Sequence, residues 1–156
     1  SDLHKMPHGL NGFFDFKEAS EESKKTGKPI LIDFTGNACV NCRKMEEYVW
    51  VKPEVLKRMR DSFIVVSLYV DDRLTLPEKE WYVSKRDGET KKTLGEQNSD
   101  LQISKYNAVS QPQYIITDAE GNNILGNEFK NYDPDENIYI DFLDRGLAAY
   151  KKKINK

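Results

Sequence analysis

The sequence predicts an α/β chain, with a central mixed β-sheet and helices packed on both of its faces. Three observations carry this. Short β-rich runs recur along the chain: Ile30-Leu31-Ile32-Asp33-Phe34, residues 63–70, and Tyr114-Ile115-Ile116-Thr117. Segments with helix punctuation lie between and around them. The first run carries apolar residues that point both ways, which suits a strand covered on both sides. The 156 residues are 38% hydrophobic, enough for one core of ordinary size, so a single domain over residues 1–156 is expected.

The first twelve residues contain Gly, Pro and His and read as irregular. Residues 16–26 read as a helix, with Gly27 as its terminator and Lys28-Pro29 leading into the first strand. A loop, Thr35-Gly36-Asn37-Ala38, precedes a helix that starts near Cys39 and runs towards Trp50. Pro53 suits the first turn of the next helix, residues 53–60, with Val55, Leu56 and Met59 inward. Residues 63–70 form the second strand, ended by Asp71-Asp72.

Residues 73–98 are polar and charged and read as an insertion, with a hairpin around Asp87-Gly88 that follows Trp81, Tyr82 and Val83. Asn98 or Ser99 is expected to cap a short helix reaching Tyr106. After the third strand, residues 119–122 turn into a short antiparallel strand, Asn123-Ile124-Leu125. Asp133 is expected to cap the last helix, with Pro134 at its first position, Glu136 closing a capping box, and Ile138, Phe142 and Leu143 on the apolar face. A β-α-β unit followed by a β-β-α unit gives the mixed sheet.

Composition narrows the function. A formal net charge of −2 argues against a broad basic surface, so no nucleic-acid partner is expected. Lys151, Lys152, Lys153 and Lys156 read as a solvated helix end. No apolar run approaches the roughly 20 residues that span a bilayer, so this chain is not expected to insert into a membrane. Its start, Ser1-Asp2-Leu3-His4, lacks the pattern of a signal peptide and also lacks Met, as a processed protein or an excised domain would. Two cysteines, separated by two residues, exclude a disulfide framework and a zinc site made of cysteines alone.

Cys39-Val40-Asn41-Cys42 carries the chemistry. Two intervening residues at a helix start bring two sulfurs within bonding reach. The free N–H groups and positive partial charge there stabilise a thiolate. Cys39, at the helix end, is the expected nucleophile; Cys42, nearly a turn further in, is the expected resolving thiol. The competing reading is a Cys2His2 zinc site using His4 and His8, which would need a long-range closure. Asp33 lies mid-strand among core-like neighbours, where a carboxylate is desolvated, its pKa rises, and it can trade a proton with Cys42. The alternative is an inert aspartate at a frayed strand end. Glu46 follows Cys42 by four residues and lies over the same helix face. It is either a second titrating group or one surface glutamate in a charged run. Gln111-Pro112 precedes the third strand; a cis peptide there would offer an extended substrate a backbone edge, a trans one would simply open the strand.

These residues resemble a family. Lys28-Pro29-Ile30-Leu31-Ile32-Asp33-Phe34, the Cys39–Cys42 motif and Pro112 resemble thioredoxin. Asp33-Phe34-Thr35-Gly36, Cys39-Val40-Asn41-Cys42-Arg43-Lys44-Met45-Glu46 and Val66-Ser67-Leu68-Tyr69-Val70-Asp71-Asp72 resemble more closely the C-terminal periplasmic domain of DsbD-type thiol:disulfide interchange proteins, especially those of Bacteroidetes-like bacteria. The resemblance spans about residues 13–150.

It implies a thioredoxin fold and a protein-disulfide reductase, with Cys39 as nucleophile, Cys42 as resolving thiol, and Asp33 and Glu46 as the acidic pair that tunes the dithiol. Pro112 matches the family's cis proline, with Gln111, Val40 and Asn41 on the surface a partner meets. It also implies a periplasmic location, a membrane-embedded electron donor and thioredoxin-like protein acceptors. No cofactor beyond the redox-active Cys39–Cys42 disulfide, no metal, and a monomer are expected. Ala38 stands where thioredoxins carry Trp, Val40-Asn41 replaces Gly-Pro, and the 73–98 insertion is long for a thioredoxin. A disulfide oxidase or isomerase with the same site is a second reading. A thioredoxin-like binding or chaperone module, with an incidental cysteine pair, is a third. A metal carrier using Cys39, Cys42 and a histidine is a fourth.

Overall fold

The computed structural model describes residues 3–155. The expected readings of Ser1-Asp2 and of Lys156 lie outside them. Two short strands, β1 (His4–Lys5) and β2 (Asn11–Gly12), pair antiparallel at the start of the chain. The irregular segment expected there is thus an ordered strap. Met6, Leu10 and Phe13 are buried, at a spacing of four and then three residues, and their burial is what orders it.

Helix α1 (Phe16–Thr26) is capped by the Asp15 side chain and ends at Gly27, whose φ of 72° is the left-handed conformation that favours glycine. The central strand β3 (Ile30–Thr35) follows. Then come α2 (Val40–Met45), a π-helical turn (Glu46–Trp50), α3 (Pro53–Ser62) and strand β4 (Ile64–Tyr69). The insertion carries the expected hairpin as β5 (Tyr82–Val83) and β6 (Thr90–Lys91). Helix α4 (Leu94–Tyr106), strand β7 (Gln113–Thr117) and helix α5 (Glu136–Ile154) complete the chain. No helix among the described residues is long and apolar enough to cross a membrane.

The main sheet has the order β4-β3-β7. β3 and β4 run parallel, with Asp33 beside Ser67; β3 and β7 run antiparallel, with Asp33 beside Tyr114. Alternation along β3 divides the core. Ile30, Ile32 and Phe34 meet α1 and α4, while Leu31 packs with Met45, Trp50, Val55, Met59, Tyr139 and Phe142 of the α2, α3 and α5 side. Asp33 shares the parity of Leu31 and so faces α2. Both sheet edges are covered: Phe13 bridges to β4, and Lys130 and Asn123 bridge to β7.

Several local expectations are corrected. α4 starts at Leu94, not near Asn98, because Thr93 and Glu96 form a capping box, with Thr93 Oγ1 accepting from the Glu96 N–H at 3.1 Å. The helix therefore takes over the last residues of the 73–98 insertion. Gly95 sits in its first turn, where a Cβ would lie 2.6 Å from the Asp72 carbonyl oxygen and 2.7 Å from its nitrogen. Those are backbone atoms that cannot rotate away. Gly95→Ala is therefore expected to cost about 1–3 kcal/mol of stability, read by chemical denaturation.

Asn123-Ile124-Leu125 makes only an isolated bridge, because the Asn123 side chain accepts from the Leu125 N–H at 2.9 Å and turns the chain. The cap of α5 is Asp135, not Asp133. Asp133 instead accepts from the Asp135 N–H at 2.9 Å, two residues too early, so Pro134 precedes the helix and Glu136 is its first residue. On that helix Tyr139 is buried where Ile138 was expected, and Ile138 is 39% exposed. On α3, Val55 and Met59 are buried and Leu56 only partly.

Candidate active site

The site forms where β3 runs into α2. The loop between them is tied to the end of β4. Asp71 accepts from the Asn37 N–H at 2.8 and 3.0 Å and from the Asn37 side-chain amide at 3.1 Å. Arg43 braces the loop from the helix side, donating to Thr35 Oγ1 at 3.1 Å. Cys39 is thereby held as the N-cap of α2, and its Sγ accepts from the Cys42 N–H at 3.1 Å. Cys39 and Cys42 are joined in a disulfide with their Cα atoms 5.2 Å apart. The two sulfurs have different surroundings. Cys42 is 1% exposed, while Cys39 is partly accessible beside exposed Ala38, Val40 and Asn41. An incoming thiol or disulfide therefore meets Cys39 first.

Beneath the dithiol helix lies Asp33, 1% exposed. Its Oδ2 accepts from Ser67 Oγ at 2.8 Å, and its Oδ1 has no hydrogen-bond partner among the described residues. Burial pushes its pKa up to about 7, the Glu46 carboxylate pushes in the same direction, and the Ser67 bond and the Arg43 charge oppose them without winning. A carboxyl poised near neutrality can take up and return a proton.

Glu46 sits one turn beyond Cys42, its N–H bonding to the Cys42 carbonyl, and is buried. It opens the π turn and accepts from Arg43 Nη2 at 2.9 Å. Burial raises its pKa as well, against the pull of Arg43. The N-terminal strap reaches this point too, where His8 Nε2 donates to the Glu46 carbonyl. His4 stacks on Phe14 instead. Among the described residues no group of three or more His, Cys, Asp or Glu side chains is placed to hold a metal.

The Gln111–Pro112 peptide is cis, and Pro112 is buried. Register locates it: Gln113 pairs with Phe34, so Pro112 comes level with Thr35, at the end of β3 that leads to Cys39. The structure thus gathers Cys39, Cys42, Asp33, Glu46 and the Gln111-Pro112 loop at one end of the sheet. Sequence reading missed Ser67, Arg43 and Asp71. Ser67 and Asp71 act across 34 residues of chain, so only the pairing of β3 with β4 reveals them. The i, i+3 spacing of Arg43 and Glu46 was the one local signal available.

A thioredoxin-like domain family matches residues 16–137. Among solved structures, a DsbH oxidoreductase is similar with a TM-score of 0.63 at 21% identity, covering 95% of this chain and 94% of that one. A thioredoxin from Thermus thermophilus gives 0.60 at 16%, covering 90% and 87%. The C-terminal domain of Neisseria meningitidis DsbD in its oxidised form gives 0.56 at 15%, covering 86% and 98%. No curated protein matches. At these identities the solved structures speak for the fold, and the family match covers most of the chain, which therefore belongs to the thioredoxin-like family.

Proposed function

We propose that this protein is a thiol:disulfide oxidoreductase that exchanges its Cys39–Cys42 pair with partner proteins. One observation carries the reading: an accessible cysteine capping a helix is bonded to a buried one, on the helix that the buried, neutral-range carboxyl of Asp33 faces. In the reduced state the Cys39 thiolate attacks a partner disulfide. A mixed disulfide forms and one partner thiolate leaves. Asp33 then accepts the proton of Cys42, whose thiolate attacks Cys39 Sγ. The intramolecular disulfide closes, and the second partner thiolate leaves and takes up a proton. Two electrons have passed to the partner.

Glu46 tunes the same proton, since its charge acts on Asp33. The cis Pro112 and Gln111 offer backbone to an extended partner segment, and Val40 and Asn41 flank the attacking sulfur. The dithiol is its own redox group, so the exchange needs no further cofactor.

The motif resemblance to DsbD-type domains supports a finer reading. The chain acts as a periplasmic reductant and a monomer. It takes electrons from a membrane-embedded donor and passes them to thioredoxin-like proteins. The reduced protein should reduce the disulfides of insulin. Equilibrated against glutathione, it should show a potential more negative than about −200 mV. A potential near that of strong oxidants, about −120 mV, would reverse the direction of transfer while leaving the exchange chemistry standing.

A further inference from the structure

The loop that ends in Pro112 is held by one buried side-chain amide. Gln102 lies on α4 and is 1% exposed. Its Nε2 donates to the Ser110 carbonyl at 2.9 Å and to Gln113 Oε1 at 3.0 Å. Its Oε1 accepts from Gln111 Nε2 at 2.9 Å. Both ends of this amide are therefore spent on three of the four residues 110–113. From the other side, Asn131 Nδ2 donates to the Pro112 carbonyl at 3.0 Å. With the Ser110 and Pro112 carbonyls occupied, residues 110–112 offer an incoming chain the Gln111 carbonyl and the N–H groups of Ser110 and Gln111.

We propose that Gln102 is a positioning residue for partner docking: it fixes residues 110–113 in one orientation, so that the Gln111 backbone meets a partner polypeptide beside the dithiol. This rests on the exchange reading given above. A glutamine held at one end only would still rotate. Held at both ends, in a buried place where any released amide group would stay unsatisfied, it has one arrangement. Fixing the loop in advance removes an ordering cost that a docking polypeptide would otherwise meet on binding. A small disulfide needs no backbone pairing; it has only to reach Cys39 Sγ. The effect of losing Gln102 must therefore depend on the size of the substrate.

The test compares Gln102→Leu with the natural protein on two substrates: insulin, with dithiothreitol recycling the enzyme, and dithiobis(nitrobenzoate). For the variant, KM for insulin should rise on the order of five- to tenfold with kcat within about twofold, while the rate with the small disulfide stays unchanged. Gln102→Glu keeps the acceptor for Gln111 but loses both donated bonds, and should move KM for insulin in the same direction. If thermal melting shows that the leucine variant does not fold, the glutamate variant decides alone. An unchanged KM for insulin, or equal losses on both substrates, overturns the assignment. Cys39→Ser, run in parallel, separates the two claims. If it stays active the exchange reading itself has failed; if it is dead while the Gln102 variants match the natural protein, only this inference has.

Discussion

Cys39→Ser is expected to lower disulfide exchange by on the order of a thousandfold or more, and Cys42→Ser to do something different in kind. The first change removes the only sulfur that a partner can reach, since Cys42 is 1% exposed, and a serine hydroxyl at a helix N-cap is not a thiolate. The second leaves attack intact and removes resolution. The Cys42→Ser variant should therefore accumulate a covalent mixed disulfide with its substrate, seen on a non-reducing gel and released by dithiothreitol. Both outcomes follow from the asymmetry of burial across one turn of helix. If Cys39→Ser retained exchange, or if the two variants behaved alike, the assignment of roles would be wrong.

Asp33→Asn should change both rate and stability, with opposite signs. Resolution of the mixed disulfide should slow on the order of a hundredfold near neutral pH, because the buried base that receives the Cys42 proton is gone. Stability should rise at alkaline pH. The folded pKa of Asp33 is about 7, against 3.8 for an ordinary aspartate. Between those two values the folded protein binds a proton that the unfolded chain has released. The contribution is therefore fully present below about pH 4 and lost as pH rises through 7. The shift of about three units corresponds to about 4 kcal/mol of penalty for holding an ionised Asp33 above neutrality. Asparagine carries no charge and still accepts from Ser67 through its side-chain oxygen. Melting the disulfide forms of both proteins at pH 4 and pH 8.5 should show parity at the first, and a variant several degrees more stable at the second. Equal melting temperatures at pH 8.5 would mean that Asp33 is already ionised at little cost.

How much of this was legible in the sequence follows from how far apart the partners lie. Cys39, Cys42 and the burial of Asp33 were written locally, in a spacing and in a run of apolar neighbours. Glu46 was half-legible. Helical spacing put it on the face of Cys42, but it lies buried as the first residue of a π turn, with the strap residue His8 from 38 positions earlier bonded to its carbonyl. The strap itself was read as irregular because Pro7 and Gly9 dominate its composition. Met6, Leu10 and Phe13 were the signal that outweighs them. Asp133 and Asp135 compete for the same cap with the same chemistry. The winner is decided by where α5 must begin to bring Tyr139 and Phe142 onto the sheet. The residues around Pro112 by themselves favoured an ordinary trans peptide, and the cis isomer that the structure shows became an expectation only through resemblance.

The insertion has a neck and an anchor, and together they decide where its length can change. Its two ends are zipped by backbone bonds from Leu94 to Leu74, from Leu76 to Lys92, and from Gly95 to Asp72. Its middle is pinned to the buried Asp100 of α4, which accepts from Ser84 Oγ at 2.7 Å and from the Tyr82 hydroxyl at 2.9 Å. A chain trimmed back to the neck would strand that carboxylate without the hydroxyls that now compensate its burial. The tip between Ser84 and Thr90 shares in this through Arg86, whose Nε donates to Asp100 Oδ1 at 3.3 Å, while Asp87-Gly88 at its apex is exposed and makes no contact with that carboxylate. Related chains, or grafts made in the laboratory, have room to lengthen at that apex, beyond Arg86, at little more than the slowly growing entropy of a longer loop. The sheet and its dithiol would not register the difference.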